Sequence, residues 1–194
     1  MKTIVAFLVL TLFATQAFAA RDVMYGDTSD SALGISKYYL VVGGGEALTD
    51  TTAFSNGVKS TAYSIIGGYK INDNFGAELS YHNFGSIDAL HDGSNVIKSS
   101  AYGLGVVGIL PLNPAFSIYG SLGYSSTNYM IENAGVAGPS NSSGNIYYGF
   151  GSYFFPLTKH IDFSLGMNFY KLVDAGTNAM YTLSERTLGM RYQF

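Results

Sequence analysis

The sequence predicts an all-β fold: an eight-stranded antiparallel up-and-down transmembrane β-barrel. Three observations carry that prediction. Charged residues make up 12% of the chain while hydrophobic residues reach 47%, against the roughly 25% charge usual in soluble domains. There are 24 Gly, 16 Tyr and 13 Phe, a composition suited to closely packed strands with an apolar exterior. Beyond the N-terminal leader no segment has the ~18 uninterrupted apolar residues of a membrane helix. A closed barrel is then the remaining way to satisfy backbone hydrogen bonds in lipid.

The same composition excludes several functions. With 10 Lys+Arg against 13 Asp+Glu, the net charge is −3, and no basic excess is present to bind nucleic acid. The chain has 0 Cys, which removes disulfides, thiolate metal sites and a Cys nucleophile. No cofactor is implied. The run Gly43-Gly44-Gly45 is followed by neither a helix nor a Lys-Ser/Thr pair, so it reads as a strand approached closely by its neighbours rather than as a phosphate cradle.

The chain opens with a short positive start, Met1-Lys2-Thr3, followed by the apolar run Ile4 to Ala14. Ala17-Phe18-Ala19 is a small-x-small cleavage site. Residues 1–19 are therefore expected to be a signal peptide cut after Ala19, the run being too short for a spanning helix. Residues 20–35 are expected to form a periplasmic N-terminal segment, and residues 36–194 the barrel.

Eight segments read as strands: Ser36–Gly45, Ser60–Ile71, Phe75–Gly85, Ser99–Leu112, Phe116–Ile131, Asn145–Pro156, Ile161–Val173 and Tyr181–Phe194. Three connections are short: Asn72-Asp73-Asn74, Asn113-Pro114-Ala115 and Leu157-Thr158-Lys159-His160. Asn, Asp and Pro are turn formers. The other four, residues 46–59, 86–98, 132–144 and 174–180, are longer and polar. Alternating short turns and long loops are the pattern of outer-membrane barrels, and an even strand number leaves both chain ends on the periplasmic side.

Period-two alternation separates two faces. In the third strand Phe75, Ala77, Leu79 and Tyr81 alternate with Gly76, Glu78, Ser80 and His82. In the fifth, Phe116, Ile118, Leu122 and Tyr124 alternate with Ser117, Tyr119, Ser121 and Gly123. In the seventh, Phe163, Leu165, Met167 and Phe169 alternate with Asp162, Ser164, Gly166 and Asn168. In the eighth, Leu188, Met190, Tyr192 and Phe194 alternate with Thr187, Gly189, Arg191 and Gln193. A lipocalin-like soluble barrel would turn the apolar face inward. The charges on the other face suit a narrow polar lumen better than lipid or a dry apolar pocket, so the apolar face is assigned to lipid. The first strand is apolar on both faces, and its facing stays open.

The candidate lumen charge network is Lys70, Glu78, Asp162, Glu185 and Arg191. Lys70 lies diagonal to Glu78 across a three-residue turn. Asp162 opens the seventh strand and Arg191 lies near the end of the eighth, both toward the periplasmic mouth. Glu78 is expected to meet both Lys70 and Arg191. Such pairs lock a barrel or gate a thin water path. Inward glycines, among them Gly76, Gly103, Gly105, Gly123, Gly166 and Gly189, are expected to leave extra room.

The stretch from Gly68 to Tyr81, GYKINDNFGAELSY, resembles the second-hairpin strand pair of the OmpA-like small outer-membrane barrels, and Ser117-Ile118-Tyr119-Gly120-Ser121-Leu122-Gly123 resembles that family's fifth strand. The ending Leu188, Met190, Tyr192 and Phe194, with apolar residues at every second position, resembles the signal read by the outer-membrane assembly machinery. The resemblance spans residues 36–194. It implies a protein of the Gram-negative outer membrane, surrounded by lipid and lipopolysaccharide. The family's peptidoglycan-binding domain has no counterpart before Phe194, so anchoring to the cell wall is not implied. With 0 Trp, any aromatic girdle is expected to be Tyr and Phe.

Functionally, the sequence predicts a monomeric structural and surface-interaction barrel whose exposed loops meet host, phage or neighbouring-cell ligands. The alternative is a narrow pore or a transporter of small or hydrophobic molecules, although eight strands close on an interior just wide enough for side chains. A lipid-modifying barrel enzyme is the third reading. His82 precedes Asn83 and Phe84, and His91 precedes Asp92 and Gly93, so neither gives the His-x-Ser pair of the lipid A deacylases. No catalytic residue is assigned: His82 reads as a polar plug residue, and His91 with Asp88 and Asp92 as a solvated loop.

Overall fold

The computed structural model describes residues 37–50, 58–88, 95–113, 115–133, 136–158, 160–173 and 180–194. The predicted leader with Ala17 and Ala19, the 20–35 segment, His91 and Asp92 lie outside them. Eight strands follow in order: β1 Tyr38–Asp50, β2 Val58–Lys70, β3 Phe75–Asp88, β4 Asn95–Asn113, β5 Phe116–Asn133, β6 Val136–Thr158, β7 Ile161–Val173 and β8 Met180–Gln193. Each pairs with its sequence neighbour in a closed barrel. Antiparallel pairing of β1 with β8, from Tyr39↔Gln193 to Asp50↔Thr182, completes it.

The tight turns are built by their asparagines. Asn72 Oδ1 accepts from the amides of Asn74 at 2.9 Å and Phe75 at 2.8 Å. Asn113 Oδ1 accepts from the Ala115 amide at 2.8 Å. These side chains stand in for backbone acceptors where the chain reverses. The C-terminus is stitched to its neighbours: the Phe194 amide donates to Tyr38 O at 3.1 Å, and the Gln193 amide to His160 O at 2.7 Å.

The strands outrun the sequence-based bounds, mostly toward the long-loop side; on the short-turn side β4 gains Asn113 and β6 gains Leu157 and Thr158 from the predicted turns. The segment 132–144, expected as a loop, is mostly strand: β5 and β6 stay paired up to Asn133↔Val136. β1 runs to Asp50 and β2 begins at Val58, and β3 runs to Asp88 while β4 begins at Asn95, which shortens loops 46–59 and 86–98 as well. The physical reason is solvent. Residues Ser140 to Asn145 project past the apolar band, so both faces are polar and the hydrophobic alternation vanishes while the backbone ladder continues. β6 has 23 residues, more than twice the ~9–11 that a tilted membrane strand needs.

Toward the long-loop side two backbone ladders end before their strands do. β2–β3 pairing stops at Tyr63↔Asn83, beyond which the Ser60 hydroxyl donates to Phe84 O, and β6–β7 pairing stops at Tyr147↔Tyr170. A bulge between Asn83 and Ser86 in the β3–β4 pairing lies at the first of these points. Its Gly85 has φ of 69°, a left-handed value that L side chains adopt at a cost. A Cβ there would also run into Thr61 O.

Side-chain facing follows the predicted alternation in β3, β5, β7 and β8. In β1, whose facing the sequence left open, Tyr39, Val41, Gly43 and Ala47 are buried while Tyr38, Leu40 and Val42 face out. An outward band of Val42, Ile65, Leu79, Leu104, Leu122, Phe150, Leu165 and Leu188 girds the barrel. Above it sits a tyrosine cluster, Tyr63–Tyr81–Tyr102, with ring centroids 6.3 and 5.0 Å apart. Below it Tyr38 meets Tyr69 at 5.1 Å and Tyr192 meets Phe194 at 5.1 Å. Two aromatic belts around an apolar band mark the two membrane surfaces.

Candidate functional site

Every predicted charge of the lumen lies on an inward strand position, and they separate into three tiers. At the periplasmic mouth Asp162 and Arg191 are direct cross-strand partners. Arg191 grips Asp162 in a two-pronged bridge, Nε to Oδ1 at 3.0 Å and Nη2 to Oδ2 at 2.7 Å. The fork geometry gives such pairs both strength and a fixed orientation. The guanidinium carbon lies 3.6 Å from the centre of the Tyr153 ring, within cation–π range. Gln193 donates to Asp162 Oδ2 at 3.3 Å and accepts from Lys70 Nζ, so Lys70 joins this tier through Gln193.

In the middle tier Glu78 accepts a hydrogen bond from the Tyr39 hydroxyl at 2.6 Å, and Tyr39 stands between it and Arg191, whose guanidinium carbon lies 6.0 Å from the Tyr39 ring centre. Lys70 does lie diagonal to Glu78, as Gly68↔Glu78 and Lys70↔Gly76 show, but its ammonium is drawn to the mouth. Ser64, Ser80, Ser121 and Ser164 line the same level, all buried.

The upper tier joins Glu185 to a residue that sequence reasoning left outside the network. His82 Nδ1 lies 2.7 Å from Glu185 Oε2 across the lumen, and Asn168 Nδ2 donates to the same oxygen at 3.3 Å. His82 is 1% exposed and Glu185 0%. Glu185 Oε1 and the hydroxyl of Tyr170 are buried with no hydrogen-bond partner. Over this tier Ala47, Ala62, Phe84, Ala101, Tyr147, Tyr170 and Leu183 form an apolar cluster. Phe84 and Tyr170 meet edge-on at 5.1 Å, and Tyr147 stacks on Tyr170 at 5.5 Å.

The inward glycines do not leave room. The Tyr147 ring fills the space above Gly103, Gly105 and Gly123, with its atoms 2.5–3.1 Å from where a Cβ would stand. Tyr119 does the same over Gly151 and Gly166, and Tyr39 over Gly68. Glycine and tyrosine therefore work as socket and plug, a pairing invisible in either residue alone. Between the tiers lies a cavity of about 20 Å³ lined by Glu78, Ser80, His82, Tyr119 and Tyr153 among others, about the room of one water molecule. The lumen residues that sequence reading missed were Tyr39, Tyr147, Tyr153 and Tyr170, while His82 and Tyr119 were read as inward but not as members of these tiers. Their only sequence signal was inward parity on strands otherwise rich in Gly and Ser.

Closed topology, an apolar outer band between aromatic belts and a packed polar interior define an integral outer-membrane barrel. The chain belongs to the outer membrane protein beta-barrel domain family, which matches residues 5–194. Its place is the outer membrane of a Gram-negative bacterium. Among solved structures it is similar to Neisserial surface protein A, with a TM-score of 0.68 and 18% identity over 83% of this chain and 99% of that one. It is also similar to Ail, the attachment invasion locus protein of Yersinia pestis, with a TM-score of 0.57 and 17% identity over 82% of this chain and 99% of the other. The N-terminal barrel domain of Pseudomonas aeruginosa OprF gives 0.56 and 16% over 82% and 99%. At these identities the likeness is one of fold. No curated protein sequence matches the chain.

Proposed function

We propose that this barrel is a structural and surface-interacting protein, with its lumen closed to solutes and its binding carried by the extracellular rim. The observation that carries the reading is the packed interior: three tiers of side chains cross the lumen, and the cavity between them has room for about one water molecule. The His82–Glu185 pair is sealed under the Phe84–Tyr170 cluster, away from any acyl chain, which also favours a non-enzymatic role. The rim offers the paired β5–β6 extension from Asn128 to Ser142. The printed name of the similar Yersinia protein is an attachment invasion locus protein, and that protein has been solved with the heparin analogue sucrose octasulfate. Both favour a rim that meets surface ligands.

The outward, alternating Leu188, Met190, Tyr192 and Phe194 are the residues we assign to the assembly machinery, and all four are exposed on the lipid face. The predicted charge network acts in this reading as a lock rather than a gate. Planar-bilayer recording tests the closed lumen: the refolded protein is expected to give no current steps above lipid background, and reproducible unitary steps would replace this reading with a pore. For the rim, cells displaying the protein are compared with cells displaying a variant in which residues 129–141 are replaced by a two-residue turn joining the paired Asn128 and Ser142. Attachment and phage adsorption are expected to fall to the level of cells lacking the protein. Unchanged attachment would remove the rim from the proposal.

A further inference from the structure

One seam of the barrel differs from the other seven in its topology. Seven pairs of neighbouring strands are consecutive in the chain, so a turn or loop joins each of them at one end. β8 and β1 are not consecutive, and no segment joins them at either end. Their ladder, from Tyr39↔Gln193 to Asp50↔Thr182, holds together the two ends of the barrel sequence. A short connection keeps paired strands close when their ladder opens, and this seam lacks that help.

At the periplasmic end of this seam, side chains reach past their nearest neighbours. Gln193 of β8 stands directly opposite Tyr39 of β1, yet its side-chain oxygen accepts from Lys70 Nζ on β2, the strand beyond. Its side-chain nitrogen points the other way and donates to Asp162 Oδ2 on β7 at 3.3 Å. Gln193 thus ties β7 and β8 to β2 across β1. On the first strand, the Tyr39 ring lies over Gly68 of β2, where a Cβ would run into it, and its hydroxyl reaches Glu78 of β3 at 2.6 Å. Each of the two strands that meet at this seam is therefore fastened to a strand two places away. The fastening residues are on the inward face, opposite the outward Tyr192 and Phe194.

We propose that Lys70 and Gln193 form a closure latch, a side-chain clasp over β1 that holds the β1–β8 seam shut at the periplasmic end. An ammonium on an amide oxygen is a charge-assisted hydrogen bond, stronger than a neutral one. The amide is anchored in turn on Asp162, which Arg191 holds at 2.7 Å. Lys70 and Gln193 are 123 residues apart in sequence, and only the closed barrel brings them within reach. The latch differs from the Arg191–Asp162 bridge, which joins β7 to β8 and needs no closure of the seam. It stands whether or not the lumen conducts, and whatever inserts the chain into the membrane.

The test uses the folded barrel in lipid nanodiscs, with amide hydrogen exchange followed by NMR. Exchange of the β1 and β8 amides paired from Leu40↔Tyr192 to Gly43↔Gly189 reports opening of the seam. The β4 and β5 amides paired from Leu104↔Tyr124 to Val107↔Ser121, on the opposite wall, are the control. Lys70→Met is expected to speed exchange at the seam about tenfold, the effect of losing one hydrogen bond to a charged group, and to leave the control unchanged. Gln193→Leu is expected to do at least as much, since it also drops the Asp162 contact. The double variant is expected to match Gln193→Leu, because the two side chains share one contact. Lys70→Arg keeps a cationic donor and is expected to exchange like wild type. Unchanged seam exchange in Lys70→Met overturns the proposal. So does equal acceleration of the control amides, which would mark a general loss of stability, an additive double variant, or exchange in Lys70→Arg as fast as in Lys70→Met.

Discussion

The two ends of the lumen are closed by different physics. At the periplasmic mouth a two-pronged Arg191–Asp162 bridge, capped by the Tyr153 ring, closes the interior with charge. At the extracellular end Phe84, Tyr147, Tyr170 and Leu183 close it with apolar surface, laid over a His82–Glu185 pair that leaves one carboxylate oxygen and one phenol unpartnered. The charged closure sits where the turns are short and the Asn72 and Asn113 side chains hydrogen-bond the chain reversals. The apolar closure sits where the β2–β3 and β6–β7 backbone ladders end. A directional bridge demands fixed geometry. Apolar contact is non-directional and tolerates play.

The strongest way to break this comparison is to cut the bridge. Asp162→Ala leaves the Arg191 guanidinium buried without its carboxylate, and urea unfolding from lipid vesicles is expected to lose about 3–5 kcal/mol. A loss under 1 kcal/mol would show the mouth to be solvated and the closure there not to depend on charge. Next comes the shared midsection, where facing alone decides. Leu165→Arg places a charge on the lipid face and is expected to cost about 2–4 kcal/mol. Ser164→Arg, one step inward, crowds the lumen but escapes the lipid penalty. Reverse ordering in the same unfolding assay would invert the facing of β7.

A smaller effect is expected at the upper tier. Glu185→Gln keeps shape and the Asn168 level while weakening the His82 contact, for a cost of about 1–2 kcal/mol. A cost equal to that of Asp162→Ala would make the two ends alike. The smallest change sharpens the account of incomplete satisfaction. Tyr170→Phe removes a buried hydroxyl that has no partner, so stability is expected to stay within about 1 kcal/mol of wild type or to rise. A loss above 2 kcal/mol would reveal a hydrogen bond at that hydroxyl.

Much of the architecture was legible residue by residue. Alternation in β3, β5, β7 and β8 reports which face meets lipid, because lipid demands an apolar side chain at every second position. The Asn-rich turns announce themselves because Asn supplies its own acceptor. Legibility fails where lipid stops imposing the pattern: the Ser140–Asn145 segment reads as a loop but pairs as a strand. It fails again in β1, apolar on both faces, whose facing is set by its register with β8. Among the lumen charges, inward position was readable but partnership was not. Glu78 was expected to meet Lys70 and Arg191, and the Tyr39 hydroxyl that it takes was not foreseen.

Readable from the residues alone were the number of strands, the facing of β3, β5, β7 and β8, the short turns and the inward charges. Each of these is a local response to lipid, to water or to chain reversal. Only the tertiary structure decided which inward groups meet. His82 finds Glu185 from 103 residues away, and Tyr147 finds its glycine sockets on β4 and β5. Those meetings depend on the relative height of strands around a closed wall. That height is set by the cumulative register of eight ladders, and no single segment carries it.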